Sequence, residues 1–199
     1  MSSSASGMKA AVPIYKLAPL EYRVALDIAS LWLAPHSPLR LCCEQPALLP
    51  EIGQRLSFTF QPPWQSGLWL EPQQRDWQET LVKFSKLLPA RAKLAVLLSL
   101  PLARHLPERC SWSGHALGEQ LNGLHIFRLA LSQEGFGIEA LQGLHSSKAI
   151  LGNMVVQVAR KLGMLALGDR MEFAARKYYT KPVSKVWLAT CALVLAVRQ

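Results

Sequence analysis

Apolar and polar residues follow two periods along this chain, that of a helix and that of an extended strand. Stripes with helical spacing predict helices over 19–34, 76–88, 115–133, 148–162 and 169–179, with one further helical turn within 47–54. Extended patterns predict strands over 39–43, 56–60, 67–71, 93–100, 137–144 and 186–197. On the first helix the expected apolar stripe comprises Leu20, Val24, Ile28, Leu31 and Trp32. This order of strands and helices predicts an α/β fold with a largely buried sheet.

Two predicted strands, 93–100 and 186–197, are apolar on both sides. This pattern is typical of strands at the centre of a sheet that is covered on both faces. Residues 1–13 are expected to form a flexible tail, and 14–199 a single domain. Within this domain, 148–182 forms a basic helical insertion before the last strand.

The composition narrows the class of protein. The chain has 199 residues, 50% of them hydrophobic and 18% charged, which excludes an intrinsically disordered protein. The longest predominantly apolar stretch, 186–197, has 12 residues including one threonine, whereas a membrane-spanning helix needs about 20. No cysteine pair has the spacing of a zinc site, so we expect reduced thiols and no metal. Because residues 1–11 lack an apolar leader core, we expect a cytoplasmic protein, or one peripheral to a membrane.

Positive charge is concentrated near the end of the chain. Residues 148–199 carry nine Lys and Arg against two acidic residues, or +7 of the total +9. Such a region attracts nucleic acid, acidic lipid headgroups or an acidic protein face, although a solvated helix face gives the same pattern. The candidate partner-binding residues are Arg160, Lys161, Arg170, Arg176, Lys177 and Lys181. Charge reversal at the last three is expected to weaken a partner complex without changing the melting temperature.

Three segments of the second half carry a family resemblance: WQETLVKFSKLLPARAKLAVLL (77–98), LALSQEGFGIEALQGLH (129–145) and VWLATCALVLAVR (186–198). They resemble the helix and strand five, the turn into strand six, and the antiparallel last strand of class I S-adenosylmethionine-dependent methyltransferases. Upstream, PLRLCCEQPA and GLWLEP are similar to strands one and four. The resemblance implies a Rossmann-like sheet with an antiparallel last strand beside strand five.

The segment that would bind the cofactor departs from the family's pattern. The family holds its cofactor with a glycine-rich turn after strand one, but this turn reads Glu44, Gln45, Pro46, Ala47. The family also uses an acidic residue after strand two, and no Asp or Glu lies between Glu51 and Glu71. Only 24 residues separate Cys43 from Leu68, although one βαβ unit takes about 30. The N-terminal half of the fold is therefore expected to be shortened.

Three hypotheses follow from these departures. The first is a degenerate methyltransferase-like protein that binds no cofactor and acts as an interaction or scaffold subunit, with a protein partner or a second copy of itself. The second is an active methyltransferase that holds S-adenosylmethionine through acidic residues at strand ends, Glu44, Glu71 and Asp76. In an alternative without any ligand role for these residues, Asp76 caps a helix and Glu71 is solvated. The third is another α/β binding protein, such as one that binds nucleic acid through the basic region.

Overall fold

The computed structural model describes residues 20–33, 38–43, 48–72, 77–100, 123–171, 186 and 189–199. The helices in this part of the chain are α1 (Leu20–Leu33), α2 (Leu49–Gly53), α3 (Trp77–Leu87), α4 (Gly123–Gln133) and α5 (Ser147–Lys161). The strands are β1 (Leu39–Cys43), β2 (Phe58–Thr59), β3 (Ser66–Leu70), β4 (Lys93–Ser99), β5 (Phe136–Ser146) and β6 (Ala189–Arg198). Each strand that the hydrophobic pattern predicted is present.

The strands form one sheet in the order β2-β1-β3-β4-β6-β5. Strands β2, β1, β3 and β4 are parallel to their neighbours. Strand β6, which comes last in the chain, lies between β4 and β5 and runs antiparallel to both. This order confirms the predicted Rossmann-like, methyltransferase-type sheet with an antiparallel last strand.

Helices cover both faces of the sheet. Helices α1 and α2 contribute to one apolar core, and α3 and α4 contribute to the other. Side chains of β4 alternate between these cores: Ala95 and Leu97 lie in the first, and Leu94, Val96 and Leu98 lie in the second. The side chains of Leu193 and Val194 on β6 divide in the same way. Coverage on both faces is the reason that the central residues of these strands are almost entirely apolar.

The half of the sheet before β3 is short, as predicted. Strand β2 has two residues and pairs with β1 through Phe58 and Thr59. Helix α2 has five residues and carries Pro50 at its start. These two short elements occupy the stretch in which the family's pattern places two complete crossover units.

The apolar stripe predicted for α1 was partly wrong. Leu31 is 83% exposed, and the fully buried positions include Tyr22, Leu26, Ala29 and Leu33. These four have regular helical spacing, but the stripe includes a tyrosine and an alanine. Of the predicted stripe, Val24 is buried and Ile28 and Trp32 pack against the core, so the prediction is wrong at Leu31 and misses the buried tyrosine and alanine.

Two further local features differ from the prediction. The pairing of β5 with β6 shifts between Ile138 and Ala140, and this bulge lets Ile138 and Leu141, three residues apart, pack against the same core. A helical stretch also occupies 165–171, so the predicted helix over 169–179 begins earlier and includes Gly168. The rest of that predicted range (172–179), residues 115–122 and the predicted tail 1–13 lie outside the described residues.

Candidate functional site

The carboxyl ends of the parallel strands meet at one edge of the sheet, where α/β folds bind their ligands. Cys43 at the end of β1 pairs with Leu70 at the end of β3, and Leu70 pairs with Leu97 of β4. Glu71 follows β3 directly, and its backbone N–H donates to the Leu97 carbonyl at 2.8 Å. Of the three strand-end acidic residues predicted from the sequence, Glu71 lies within the described chain, whereas Glu44 and Asp76 lie outside it.

Both carboxylate oxygens of Glu71 accept hydrogen bonds from buried hydroxyl groups. The Tyr22 hydroxyl of α1 donates to Oε2, and the Ser99 hydroxyl at the end of β4 donates to Oε1. The side chains of Tyr22 and Ser99 are fully buried, and that of Glu71 is half-buried. The alternative in which Glu71 is simply solvated is therefore wrong, because hydrogen bonds to its carboxylate connect β3 with α1 and β4.

Glu71 also has an uncommon backbone conformation. Its φ angle is +52°, in the left-handed region that non-glycine residues seldom adopt. This turn redirects the chain immediately after β3, and Pro72 follows it. The backbone bond to Leu97 and the two hydroxyl contacts hold the turn in place.

Ion pairs fix the helix that presents Tyr22. Arg23 Nε lies 3.2 Å from Glu51 Oε1, which joins α1 to α2. Arg55 Nε lies 2.7 Å from Asp27 Oδ1 and makes a second link to α1. At the other end of α1, the Lys93 ammonium donates to the Trp32 carbonyl at 3.0 Å. Because α1 is held at both ends, Tyr22 has a defined position over the sheet edge.

The described residues at this edge differ from the pattern by which the family holds S-adenosylmethionine. Strand β2 pairs in parallel with β1 at the place of strand two, but Phe60 follows it, 69% exposed, where an acidic residue would hold the ribose. In the first turn of α2, buried Glu51 pairs with Arg23 and Arg55. The carboxylate of Glu71 is already engaged by two hydroxyl groups. Within the described ranges there is also no cluster of metal-binding side chains.

The basic region is described in part. Arg160 and Lys161 end α5, and Arg170 lies in the helical stretch 165–171. Arg160 Nη2 lies 3.0 Å from Asp169 Oδ1, so this guanidinium pairs within the chain. Lys161 and Arg170 are exposed. The other three predicted partner-binding residues, Arg176, Lys177 and Lys181, lie outside the described chain.

The sequence did not identify Tyr22 and Ser99 as members of the site. Tyr22 lies off the predicted stripe of α1, and Ser99 lies in an almost entirely apolar strand. Ser99 did carry a usable signal, because a serine at the end of a fully buried strand requires a hydrogen-bond partner. Glu71 at the end of the neighbouring strand supplies that partner.

Comparisons with known proteins return solved structures at low sequence identity. A methyltransferase from Mesorhizobium loti that depends on S-adenosylmethionine is 12% identical, with a TM-score of 0.45, over 87% of this chain and 98% of its own. The plantazolicin methyltransferase BamL is 8% identical, with a TM-score of 0.45, over 93% of this chain and 88% of its own. The cyclase SpnF is 12% identical, with a TM-score of 0.46, over 86% and 81% of the two chains.

No protein-family model and no curated protein matches the sequence. Among the helices that the structure describes, none has the length and apolar character to cross a membrane. The assignment of the fold rests on the strand order and on the direction of β6. On these grounds the chain has the class I methyltransferase fold, with a shortened N-terminal half.

Proposed function

We propose that this methyltransferase-like protein does not bind S-adenosylmethionine and acts as an interaction or scaffold subunit. The engagement of Glu71 is the observation that carries the proposal. Each oxygen of this carboxylate accepts a hydrogen bond from a buried hydroxyl group of the protein itself. A ligand hydroxyl that took the place of Tyr22 or Ser99 would weaken a buried hydrogen bond, which costs about 1–3 kcal/mol.

The neighbouring strand end supports the same proposal. Exposed Phe60 follows β2, and its aromatic ring cannot accept a hydrogen bond from a ribose hydroxyl as a carboxylate does. The short α2 begins without a side-chain cap, and its first turn already contains a buried carboxylate. At these positions an exposed aromatic ring and an internal ion pair stand where a cofactor site would offer polar groups to its ligand.

One observation favours the alternative, an active methyltransferase with an atypical site. Glu71 has a positive φ angle at the edge where α/β folds bind ligands, and strained backbone of this kind occurs often at functional sites. In that case Glu71 would exchange its internal donors for the cofactor on binding. The alternative therefore requires that Glu71 contributes to binding, whereas the main proposal requires that it does not.

Calorimetric titration of the full chain with S-adenosylmethionine and S-adenosylhomocysteine separates the two functions. We expect no heat of binding and no thermal stabilisation at millimolar ligand, with an active methyltransferase titrated in parallel as the positive control. Micromolar binding, worth about 8 kcal/mol, would overturn the proposal. Loss of that binding in Glu71→Gln would then assign the site to this edge of the sheet.

A further inference from the structure

The segment after α5 exposes apolar side chains to an unusual degree. Seven large ones lie between the middle of α5 and the end of the following helical stretch: Met154, Val155, Val158, Leu162, Met164, Leu165 and Leu167. Leu162 and Leu165 are the most exposed of these, at 68% and 63%. We call residues 162–167 the apolar tip. We propose that the apolar tip inserts into the interfacial layer of a membrane that contains anionic phospholipid.

The pattern of exposure favours a fluid apolar medium over a protein surface. Every residue from 161 to 167 is exposed, and residues 162–167 contain no polar side chain. A helix that packs on a flat partner buries one stripe and leaves the opposite side polar. Apolar residues exposed at consecutive positions point in all directions, and lipid can surround such a segment without a preformed pocket.

Backbone hydrogen bonds within the turn lower the cost of moving the apolar tip into a less polar environment. Helix α5 ends at Lys161, and Gly163 in the turn that follows has a φ angle of +77°. The Gly163 N–H donates to the Arg160 carbonyl at 3.0 Å, and the Met164 N–H donates to the Ala159 carbonyl at 2.9 Å. These two bonds satisfy carbonyl groups that a helix end otherwise leaves to water. Insertion of this turn therefore costs less than insertion of an open loop.

The charges beside the apolar tip favour binding to an anionic surface. Lys161 precedes the tip and Arg170 follows it, and both are exposed. Asp169, which is the one acidic residue between 147 and 171, pairs with Arg160 at 3.0 Å. An apolar tip between exposed cations matches the arrangement of segments that lie in the headgroup region. The sequence beyond residue 147 supplies a charge of +7 in the same direction.

The same charges disfavour two other binding partners for this surface, a second copy of the chain and nucleic acid. In a symmetric pair of copies through this surface, Lys161 and Arg170 would approach their own equivalents, and like charges repel. Nucleic acid would satisfy the cations but would leave the leucines of the tip in water, since phosphate contacts dominate its binding. An anionic membrane surface offers negative headgroups to the cations and an apolar layer to the side chains of the tip.

Vesicle sedimentation with the full chain tests the proposal. The wild-type chain is expected to sediment with vesicles of phosphatidylcholine and phosphatidylserine in equal parts, and much less with phosphatidylcholine alone. The double variant Leu162→Gln/Leu165→Gln is expected to lose about tenfold or more in partitioning, because two large apolar side chains no longer enter the lipid. Lys161→Gln/Arg170→Gln is expected to lose about tenfold on the anionic vesicles alone.

The matched control is Ile126→Gln/Leu129→Gln, which removes two exposed apolar side chains from α4. This control is expected to bind like the wild type, and all variants should melt at the wild-type temperature. Absence of vesicle binding, equal binding to both vesicle types, or wild-type binding by the tip variant would each overturn the proposal. Binding of duplex RNA without binding of vesicles would overturn it in favour of nucleic acid.

This inference rests on the proposed interaction role, for which it names a partner surface. The vesicle experiment uses no methyl donor, and the calorimetric titration uses no lipid. Failure of the membrane proposal therefore leaves the cofactor result unchanged, and a positive cofactor titration does not alter vesicle binding.

Discussion

The carboxylate of Glu71 connects three parts of the chain that are distant in sequence. Its donors, Tyr22 and Ser99, lie 49 and 28 residues away along the chain. Both hydroxyl groups are buried, and both donate to Glu71. Glu71 is consequently expected to stabilise the fold as well as to occupy the candidate site.

Replacement of Glu71 measures this contribution. Glu71→Gln keeps the size of the side chain but exchanges the carboxylate for a neutral amide, so that both hydroxyl groups lose a charge-assisted bond and one of them faces an NH2 group in place of an acceptor. We expect the free energy of unfolding to fall by about 1–3 kcal/mol in denaturant titration. The control is Glu79→Gln on α3, whose side chain is 77% exposed and pairs with Lys83 at 4.0 Å. Equal stability of the two variants would contradict a structural role for Glu71.

The sequence could predict Glu71 as a member of the site, but not its donors. An acidic residue directly after an apolar strand can be found by pattern, because parallel strands bring their carboxyl ends to one edge. The contact with Tyr22 depends on how α1 is rotated on the sheet, and the stripe that predicts this rotation was partly wrong at Leu31. Contacts that depend on tertiary packing are not encoded in local spacing.

Helix α3 can pack closely on β3 because Gly67 has no side chain. A Cβ atom at Gly67 would lie 2.7 Å from Phe84 Cε1 and 2.9 Å from Leu94 Cδ1. Both of these neighbours are fully buried, so neither can move into solvent. The Phe84 ring lies 5.7 Å from that of Trp69 on the same strand, which further limits its movement.

Gly67→Ala is therefore expected to destabilise the protein by about 1–3 kcal/mol through overpacking. Thermal and denaturant unfolding measure the loss. Gly53→Ala at the end of α2 is the control, since its Cβ would lie 3.8 Å from Phe58 Cε1, an ordinary contact. This control is expected to be neutral or slightly stabilising, because alanine restricts the unfolded chain. A Gly67→Ala variant as stable as the Gly53→Ala variant would refute the close packing of α3.

The elements themselves could be predicted more completely than their boundaries. Strand β1 was predicted at its observed limits, and β4 within one residue, because an apolar run bounded by polar or proline residues has few alternatives. The helical stretch at 165–171 was predicted too late in the chain. The sequence leaves open whether Gly168 ends a helix or allows close packing; in the structure it lies within this helical stretch, with a Cβ site 2.9 Å from Arg160 Cγ on α5. Sequence alone does not distinguish these two uses of glycine.

The last strand of the chain holds the two halves of the sheet together. Strand β6 lies between β4 and β5, and it pairs with β4 from Lys93 to Ser99. From Cys191 to Ala196 its side chains are buried, divided mainly between the two cores. The sheet therefore cannot be completed until the final residues of the chain are in place, which requires contacts at long separation in sequence.

Removal of residues 189–199 is expected to abolish cooperative thermal unfolding. The truncated chain would expose the apolar edge of β4 and leave the backbone groups of β5 without partners on that side, a loss too large for a marginally stable domain. Circular dichroism during heating measures the transition. Removal of residues 1–11 takes away the same number of residues from the predicted tail and is expected to leave the transition intact. A truncated chain that still unfolds cooperatively would mean that β4 and β5 can pair directly, and β6 would then be an addition to the fold rather than its centre.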